Sequence, residues 1–499
     1  MAISVSNNSY TEESQTPLLE GTVAGAVDYK GNPVLRANSG GWRSASFMIG
    51  VEVAERFTYF GISCNLITYL TEQLGQSTVT AAENVNAWSG TAQLMPLLGA
   101  SIADSFLGRY RTIVIATLIY ILQLRKEDTS PAFRLLELIN LMEKIQRSGM
   151  PKAHSLIGGF LVYVGVLRTY RYCIKRDETS PFVRIGGVFV TAVRNCHTTR
   201  STIAIEEEAC GTSHHSSEQF KAIPLTSWFL NKALLSPGHN KEEGKVYTIS
   251  EVEEAKAVLR LCPIWATSLV YAIVYAQAST FFTKQGATLD RTLFPGFKIP
   301  AASLQFFIGL AIVLFIPLYD RVFVPIAKAF TTKPSGITML QRVGIGMLLS
   351  AACMVVAALV EIKRLNTAKE LGLVDRPNVT IPMSVWWLVP QYVLSGIADV
   401  FTLVGLQEFF YDQVPSELRS VGIALCQSIL GLGSLLSSLL VSVIEEATGG
   451  YGRYSWFSNN LNRAHLDYFY WLLAGLSVVA FAAYLYFAKS YIYKRPSTM

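Results

Sequence analysis

Three ionisable side chains and a tyrosine lie close together in an apolar segment near residue 50. Glu52, Glu55, Arg56 and Tyr59 belong to the stretch FMIGVEVAERFTYFGISCNLITYL. In a helix, Glu52 and Arg56 are four residues apart, as are Glu55 and Tyr59, so both acids and the tyrosine line one face. Two carboxyls beside a guanidinium can exchange one proton, because burial favours the neutral acid and the arginine favours the carboxylate. The spacing predicts a proton relay; the alternative is that Arg56 neutralises both acids and fastens this helix to its neighbours.

A second polar group lies at the end of the next apolar segment. Asp104, Gly108 and Arg109 follow a run of small residues at positions 99, 100, 101 and 103. Small side chains allow helices to approach closely, and a charge pair at a helix end can join two helices without crossing lipid. We expect these three residues to act in gating or packing and not as substrate ligands.

The composition indicates a chain that is embedded in lipid. Of its 499 residues, 51% are hydrophobic and 16% are charged, and the mean hydropathy is +0.33, as in polytopic membrane proteins. The seven cysteines are scattered without a CxxC pair, which predicts neither a disulfide framework nor a zinc site. Hydrolase motifs such as HExxH and GxSxG do not occur in the sequence. We therefore expect no catalytic residue, no metal, no cofactor and no nucleic-acid partner.

Apolar stretches long enough to cross a bilayer core of about 30 Å recur along the chain. Eight spans are predicted at residues 44–70, 86–107, 258–282, 301–319, 341–361, 384–411, 420–444 and 467–489. Two further stretches, 112–124 and 155–168, are short for a span, and thinned spans, re-entrant pieces or broken helices all fit them. The predicted fold class is an all-α integral membrane protein with about eight to ten transmembrane helices.

Basic residues set the expected orientation of these spans. Lys and Arg are concentrated in the loop 108–111, in the stretch after Arg168, in the segment 321–342 and in the C-terminal tail. Loops of this kind face the cytoplasm. Ten crossings would then place both termini inside the cell.

The chain divides by composition into a cytosolic tail (1–42), a first transmembrane bundle (43–168), a cytosolic linker (169–256) and a second transmembrane bundle (257–499). The first bundle contains a charged insert at 125–154. This insert carries ten Lys, Arg, Asp and Glu residues, too many to cross lipid. Its apolar residues from Leu135 to Ile145 follow helical spacing, which predicts an amphipathic helix at the membrane surface.

Several longer motifs accompany the acidic pair of the first span. They include EVAERFTYFG (52–61), AQASTFFTKQG (276–286), EFFYDQVP (408–415) and NLNRAHLDYFYWLLA (460–474). Together they resemble the proton-coupled oligopeptide transporter family, and within it the plant nitrate and peptide transporters; Asp104, Gly108 and Arg109 resemble the major-facilitator loop motif. The resemblance implies a major-facilitator fold in which two six-helix bundles alternate access to a central site. It also implies proton-driven symport of nitrate, a di- or tripeptide or another small plant metabolite.

The resemblance also implies roles for individual residues. Glu52, Glu55 and Arg56 match the proton-coupling motif. Asp399 occupies the position where many relatives carry a Glu that contacts substrate and joins a charge pair. The candidates for the substrate pocket are Tyr59, Tyr271, Tyr275, Gln277 and Asp399. Tyr275 falls where some nitrate-carrying relatives have His, so nitrate is less favoured as the substrate of this protein. The implied partners are a small solute, protons and the lipid of the plasma or vacuolar membrane, while the sequence predicts no oligomeric state.

The first bundle departs from the family pattern. Between Leu124 and Ser155 the family has the rest of a third helix, a fourth and a fifth, including a Lys that would pair with Asp399. The charged insert stands there instead, and its residues 125–135 align with 175–185 of the linker. Alternating access needs both halves of the transporter. The alternative function is thus a transport-incompetent truncated isoform, or an inaccurate gene model, which associates with a full-length relative, and an unpaired Asp399 would then be protonated.

Overall fold

The computed structural model describes residues 22–27, 33–35, 41–102, 112, 115, 172–173, 181–195, 229–234, 247–330, 337–377, 379–414, 419–449 and 455–491. Contacts divide the chain into two units. The first comprises Met1–Ile62 and Tyr110–Glu178, and the second comprises Ser63–Arg109 and Thr179–Met499. The first long helix, α1 (Gly41–Thr68), runs from the first unit into the second.

The first unit contains the amino-terminal part of α1 and a small antiparallel sheet. The sheet has the strand order β2-β1-β3, where β1 is Thr22–Val27, β2 is Pro33–Leu35 and β3 is Tyr172–Cys173. Val27 pairs with Pro33 on one side and with Tyr172 on the other. These strands are short additions to a chain that was predicted to be all-α.

Helices make up most of the second unit. They are α2 (Thr78–Ile102), α3 (Pro181–Arg194), α4 (Ile249–Tyr275), α5 (Phe281–Ala287), α6 (Phe306–Leu318), α7 (Val324–Phe330), α8 (Met339–Glu370), α9 (Val389–Asp412), α10 (Arg419–Thr448) and α11 (Leu466–Ser490). Short 3-10 helices lie at Phe229–Leu234, Ala276–Ser279, Ala301–Gln305 and Val385–Leu388. Turns of π-helix lie at Tyr69–Gln73 and Tyr319–Phe323.

Six helical stretches among the described residues are long and apolar enough to cross a membrane. They are Glu251–Ala287, Ala301–Ala329, Met339–Glu370, Val385–Asp412, Val421–Thr448 and Leu466–Ser490. These stretches overlap the six spans that were predicted for the second bundle. Helices α1 and α2 overlap the two spans predicted near the amino terminus but are not among the six. The short stretches 112–124 and 155–168 lie outside the described residues except at positions 112 and 115, as does the insert 125–154.

The segment that was predicted as a polar linker contains a packed helix. Val188 and Ala192 on α3 are fully buried against Leu230 and against Val252 at the start of α4. The apolar residues of α3 recur along one helical face, within a stretch whose composition is polar. Arg184 on the same helix donates to Glu254 on α4 at 2.6 Å, which joins the linker to the second bundle.

Short strands connect the helices of the second unit at the end opposite this linker. Strand β4 (Leu289–Asp290) pairs in parallel with β7 (Ile381–Ser384), and β5 (Thr292–Phe294) forms a hairpin with β6 (Phe297–Lys298). Gly296 turns this hairpin at a φ of +88°, a left-handed conformation that favours glycine.

A fully buried ion pair joins three segments of the second unit. Arg364 on α8 donates to both carboxylate oxygens of Glu361, at 2.9 and 2.6 Å. It also donates to the carbonyl of Leu461 at 2.7 Å and to the Asn462 side chain at 2.9 Å, while Gln285 on α5 donates to Glu361 at 2.8 Å. Neither charged side chain has any exposed surface. Every hydrogen bond in this cluster therefore replaces one that water would otherwise supply.

We expect Arg364→Met to destabilise the protein by about 3–5 kcal/mol, because it leaves the Glu361 carboxylate buried without its cation. The matched control is Arg463→Met, since Arg463 pairs with Asp375 where both side chains are partly exposed and such pairs contribute about 0–1 kcal/mol. Thermal unfolding of the detergent-solubilised protein measures both. Equal losses for the two variants would contradict the structural role of the buried pair.

Candidate functional site

A buried acid and a buried tyrosine face each other in the interior of the second unit. The hydroxyl of Tyr271 on α4 donates to the Oδ1 atom of Asp399 on α9 at 2.5 Å. The two residues are 2% and 5% exposed, so little water reaches the carboxyl. Two of the five predicted pocket residues therefore come together, and Asp399, which was expected to lack its family partner, accepts a hydrogen bond from a neutral phenol.

Close helix packing holds Asp399 in this position. Helix α9 passes so near α6 that a Cβ atom built on Gly396 would lie 2.6 Å from the carbonyl oxygen of Ile308. Helix α8 approaches from another side, where a Cβ atom on Gly346 would lie 2.9 Å from the carbonyl oxygen of Ala398. Glycine at both positions allows backbones to meet, as small residues do in membrane bundles.

Gln277 lies at an interruption between two helices. Helix α4 ends at Tyr275, a 3-10 turn occupies Ala276–Ser279, and α5 begins at Phe281. The amide of Gln277 donates to the carbonyl of Ile273 at 2.7 Å and to Ser437 Oγ on α10 at 3.1 Å. Its Oε1 atom is buried and has no hydrogen-bond partner among the described residues. Interrupted helices of this kind commonly form the binding sites of secondary transporters.

The other two tyrosine candidates are placed differently. Tyr275 is half-buried and packs against the apolar core that includes Tyr271. Tyr59 belongs to the first unit, where its ring contacts Phe60 edge to face at a centroid distance of 5.7 Å. Its proposed place in the pocket stays a prediction.

The proton-coupling candidates lie on α1. The helix runs without interruption through Glu52, Glu55 and Arg56, in agreement with the helical spacing from which the relay was predicted. Arg56 is exposed, whereas the side chains of the two acids lie outside the described part of the structure. Asp104, Gly108 and Arg109 also lie outside the described residues, so their gating role stays a prediction.

Two polar residues of the interior were not found from the sequence. Asn86 on α2 and Ser437 on α10 are 1% and 0% exposed, and the Asn86 amide donates to Ser437 Oγ at 3.1 Å. The position of Asn86 inside an apolar segment could have indicated a buried polar contact, because polar groups within lipid-embedded helices are costly unless they are paired. The contact of Ser437 could not be predicted from the sequence, since serine is common in such helices.

Comparison with known proteins places these features in a family. Residues 153–457 match the model of the POT family, described as PTR2. Two relatives from Arabidopsis thaliana are "Protein NRT1/ PTR FAMILY 5.10", which is 50% identical over 98% of this chain and 99% of its own length, and "Protein NRT1/ PTR FAMILY 5.14", which is 48% identical over 97% and 99%.

Solved structures show the same fold at lower identity. An auto-inhibited POT family peptide transporter has a TM-score of 0.65 at 17% identity and covers 91% of this chain and 99% of its own. Two further structures of a POT family transporter hold a thioalcohol conjugated peptide (TM-score 0.52, 16% identity, 92% of this chain and 97% of that chain covered) and 5-aminolevulinic acid (TM-score 0.51, 14% identity, 90% and 96% covered).

Fold and sequence together define a multi-pass membrane transporter of the major-facilitator type and not an enzyme. The chain belongs to the POT family of proton-coupled transporters, and within it to the NRT1/PTR family.

We expect Tyr271→Phe to lower stability by about 1–3 kcal/mol, because the buried Asp399 loses a hydrogen-bond donor. The loss should be smaller in an Asp399→Asn background, where the acceptor is neutral, so a double-mutant cycle isolates the contact. Tyr470→Phe is the matched control, since Tyr470 is fully buried and its hydroxyl has no partner among the described residues. Thermal unfolding that ranks Tyr470→Phe as the more damaging change would contradict this assignment.

Proposed function

We propose that this protein is a proton-coupled symporter whose substrate is a small solute with an amino group, such as a di- or tripeptide or an amino-acid-like plant metabolite. The observation that carries the proposal is the buried pair of Tyr271 and Asp399. An ionisable residue inside a membrane helix is costly, and such residues are retained chiefly where they bind substrate or move protons.

The chemistry of the pair favours a cationic or hydrogen-bond-donating group over a bare anion. A carboxyl with a phenol beside it can accept from an ammonium group, whereas nitrate offers only acceptor oxygens and would meet a like charge. Tyr275 replaces the His of some nitrate carriers, which also argues against nitrate. The complexes of related transporters with a conjugated peptide and with 5-aminolevulinic acid support the same class of substrate.

Glu52, Glu55 and Arg56 are the proposed proton-coupling group. Their spacing on α1 allows an acid to take up a proton while the guanidinium holds the other carboxylate. In this proposal the proton taken from the outer side drives the solute in the same direction, and Asp399 contacts the solute.

A second candidate function has its own support. The comparison with NRT1/PTR FAMILY 5.10 extends over 567 positions, whereas this chain has 499 residues, so at least 68 positions of the comparison face a gap in this chain. Two membrane helices with their loop need a length of this order, at about 20 residues per span. The gap supports the alternative of a truncated isoform that does not transport by itself and associates with a full-length relative.

We expect uptake of a labelled dipeptide into oocytes to be stronger at mildly acidic than at neutral external pH, and to fall to the level of water-injected cells in Glu52→Gln and in Glu55→Gln. The reason is that a glutamine can neither take up nor release the coupling proton. Glu370→Gln is the control, because Glu370 is an exposed acid at the end of α8. Nitrate tested beside the dipeptide measures the preferred substrate class.

The two candidate functions give different outcomes in this assay. Acid-stimulated uptake by the unaltered chain would exclude the transport-incompetent isoform. Absence of uptake, with the protein demonstrated at the cell surface, would contradict the symporter proposal and favour the isoform. Nitrate uptake without dipeptide uptake would overturn the assignment of substrate class alone.

A further inference from the structure

Helices α6 and α9 leave a groove between them beside their closest contact. The two helices meet where a Cβ atom built on Gly396 would lie 2.9 Å from the Cβ atom of Ala311. The groove has a volume of about 200 Å³, and every residue that lines it is apolar. These residues include Leu310, Leu314 and Leu318 on α6 and Val393 and Ile397 on α9. No side chain of the lining can therefore hydrogen-bond a polar solute.

The groove is open on the side of the bundle that meets lipid. Leu310, Leu314 and Leu318 are 36%, 64% and 45% exposed. Both walls belong to stretches that are long and apolar enough to cross the membrane, Ala301–Ala329 and Val385–Asp412. An exposed apolar surface at this depth contacts hydrocarbon and not water. A lipid acyl chain is therefore the occupant whose chemistry matches the groove.

The length of the groove matches one leaflet of the membrane. The groove follows α6 from Phe307 to Leu318, which is about 16 Å along the helix axis at a rise of about 1.5 Å per residue. A bilayer core is about 30 Å thick, so one leaflet contributes about half of that. The groove ends at Leu318, just before the first charged residues of this stretch, Asp320 and Arg321.

Two exposed basic residues follow the groove at this end. Arg321 lies in the π-helical turn, three residues beyond Leu318 and so next to it on the helix surface, and Lys328 lies on α7. Neither forms an ion pair with another residue that the structure describes, whereas Arg342 is paired with Glu408 at 3.3 Å. Two positive charges are thus available for a ligand where the groove ends.

The charge at this end selects among the lipids. The basic segment 321–342 is predicted to face the cytoplasm, and the cytoplasmic leaflet is the one that carries anionic lipids. A lipid whose chain lies in the groove brings its phosphate to Arg321, and a guanidinium is well suited to bind a phosphate. A sterol carries only a neutral hydroxyl and would leave both positive charges without a partner.

We propose that the groove between α6 and α9 binds one anionic phospholipid of the cytoplasmic leaflet. An acyl chain lies along the leucines of α6, and the phosphate accepts hydrogen bonds from Arg321. Lys328, about 10 Å further along the helix, attracts the headgroup through its charge. The lipid thereby joins α6 to α9, the helix that carries Asp399. This inference goes beyond the transport function proposed above and does not depend on it.

Native mass spectrometry of the full chain in detergent counts the lipids that stay bound. Phosphatidylglycerol should bind several-fold more tightly than phosphatidylcholine with the same acyl chains, and the double variant Arg321→Gln/Lys328→Gln should lose this preference. Leu314→Trp fills the groove and should weaken the binding of both lipids several-fold. Leu359→Trp is the matched control, because Leu359 on α8 is 54% exposed and lies outside the groove. Equal binding of the two lipids, a preference that survives in the double variant, or equal effects of the two Trp variants would overturn the proposal.

A second measurement separates a lipid from another protein chain as the occupant. Phosphatidylglycerol should raise the midpoint of thermal unfolding of the unaltered chain and of Leu359→Trp, and it should leave that of Leu314→Trp unchanged. If a second copy of the chain covers the groove instead, Leu314→Trp will lower the dimer fraction in the same spectra without changing lipid binding, which would overturn the lipid site. Neither measurement uses transport, so a failure here is distinguishable from a failure of the uptake assay.

Discussion

Polar groups inside a membrane-embedded bundle must find their partners within the protein, and this constraint accounts for most of the specific contacts in the second unit. Serine and threonine side chains inside the spans donate back to their own helices, as Ser268 does to the carbonyl of Ile264 at 2.7 Å and Thr280 to that of Ala276 at 3.0 Å. The ionisable residues cannot be satisfied so locally. Arg364 pairs with Glu361 on its own helix and also needs Leu461 and Asn462 from another segment, whereas Asp399 needs Tyr271 from a different helix. These contacts fix which segments are neighbours.

The two buried acids solve this problem in different ways. Glu361 meets a full positive charge and a further donor from Gln285, so the charge of the cluster is balanced. Asp399 meets only the neutral hydroxyl of Tyr271 as a described hydrogen-bond donor. A balanced cluster suits a permanent joint between helices, whereas a carboxyl with a neutral partner can still bind a cationic group. The contrast explains why the structural role falls to Glu361 and the proposed binding role to Asp399.

Sequence patterns predicted the spans of the second bundle well, because apolar runs of the length of a bilayer carry a strong signal. The family resemblance also selected Tyr271, Gln277 and Asp399 as candidates for the pocket. The pairing of Tyr271 with Asp399 was not predictable, since the two residues are 128 positions apart and helical spacing describes only near neighbours. The helix α3 was missed because the polar composition of residues 169–256 masked a short amphipathic stretch.

The position of Gln277 relative to Tyr271 gives the interrupted helix a particular significance. The two residues are six positions apart, about 9 Å along a helix axis. Tyr271 lies within regular α4, where backbone hydrogen bonds hold it against Asp399. Gln277 lies in the 3-10 turn, whose hydrogen bonds have poorer geometry and which often marks a hinge. A displacement near Gln277 can therefore be absorbed within the turn while the Tyr271–Asp399 pair keeps its geometry.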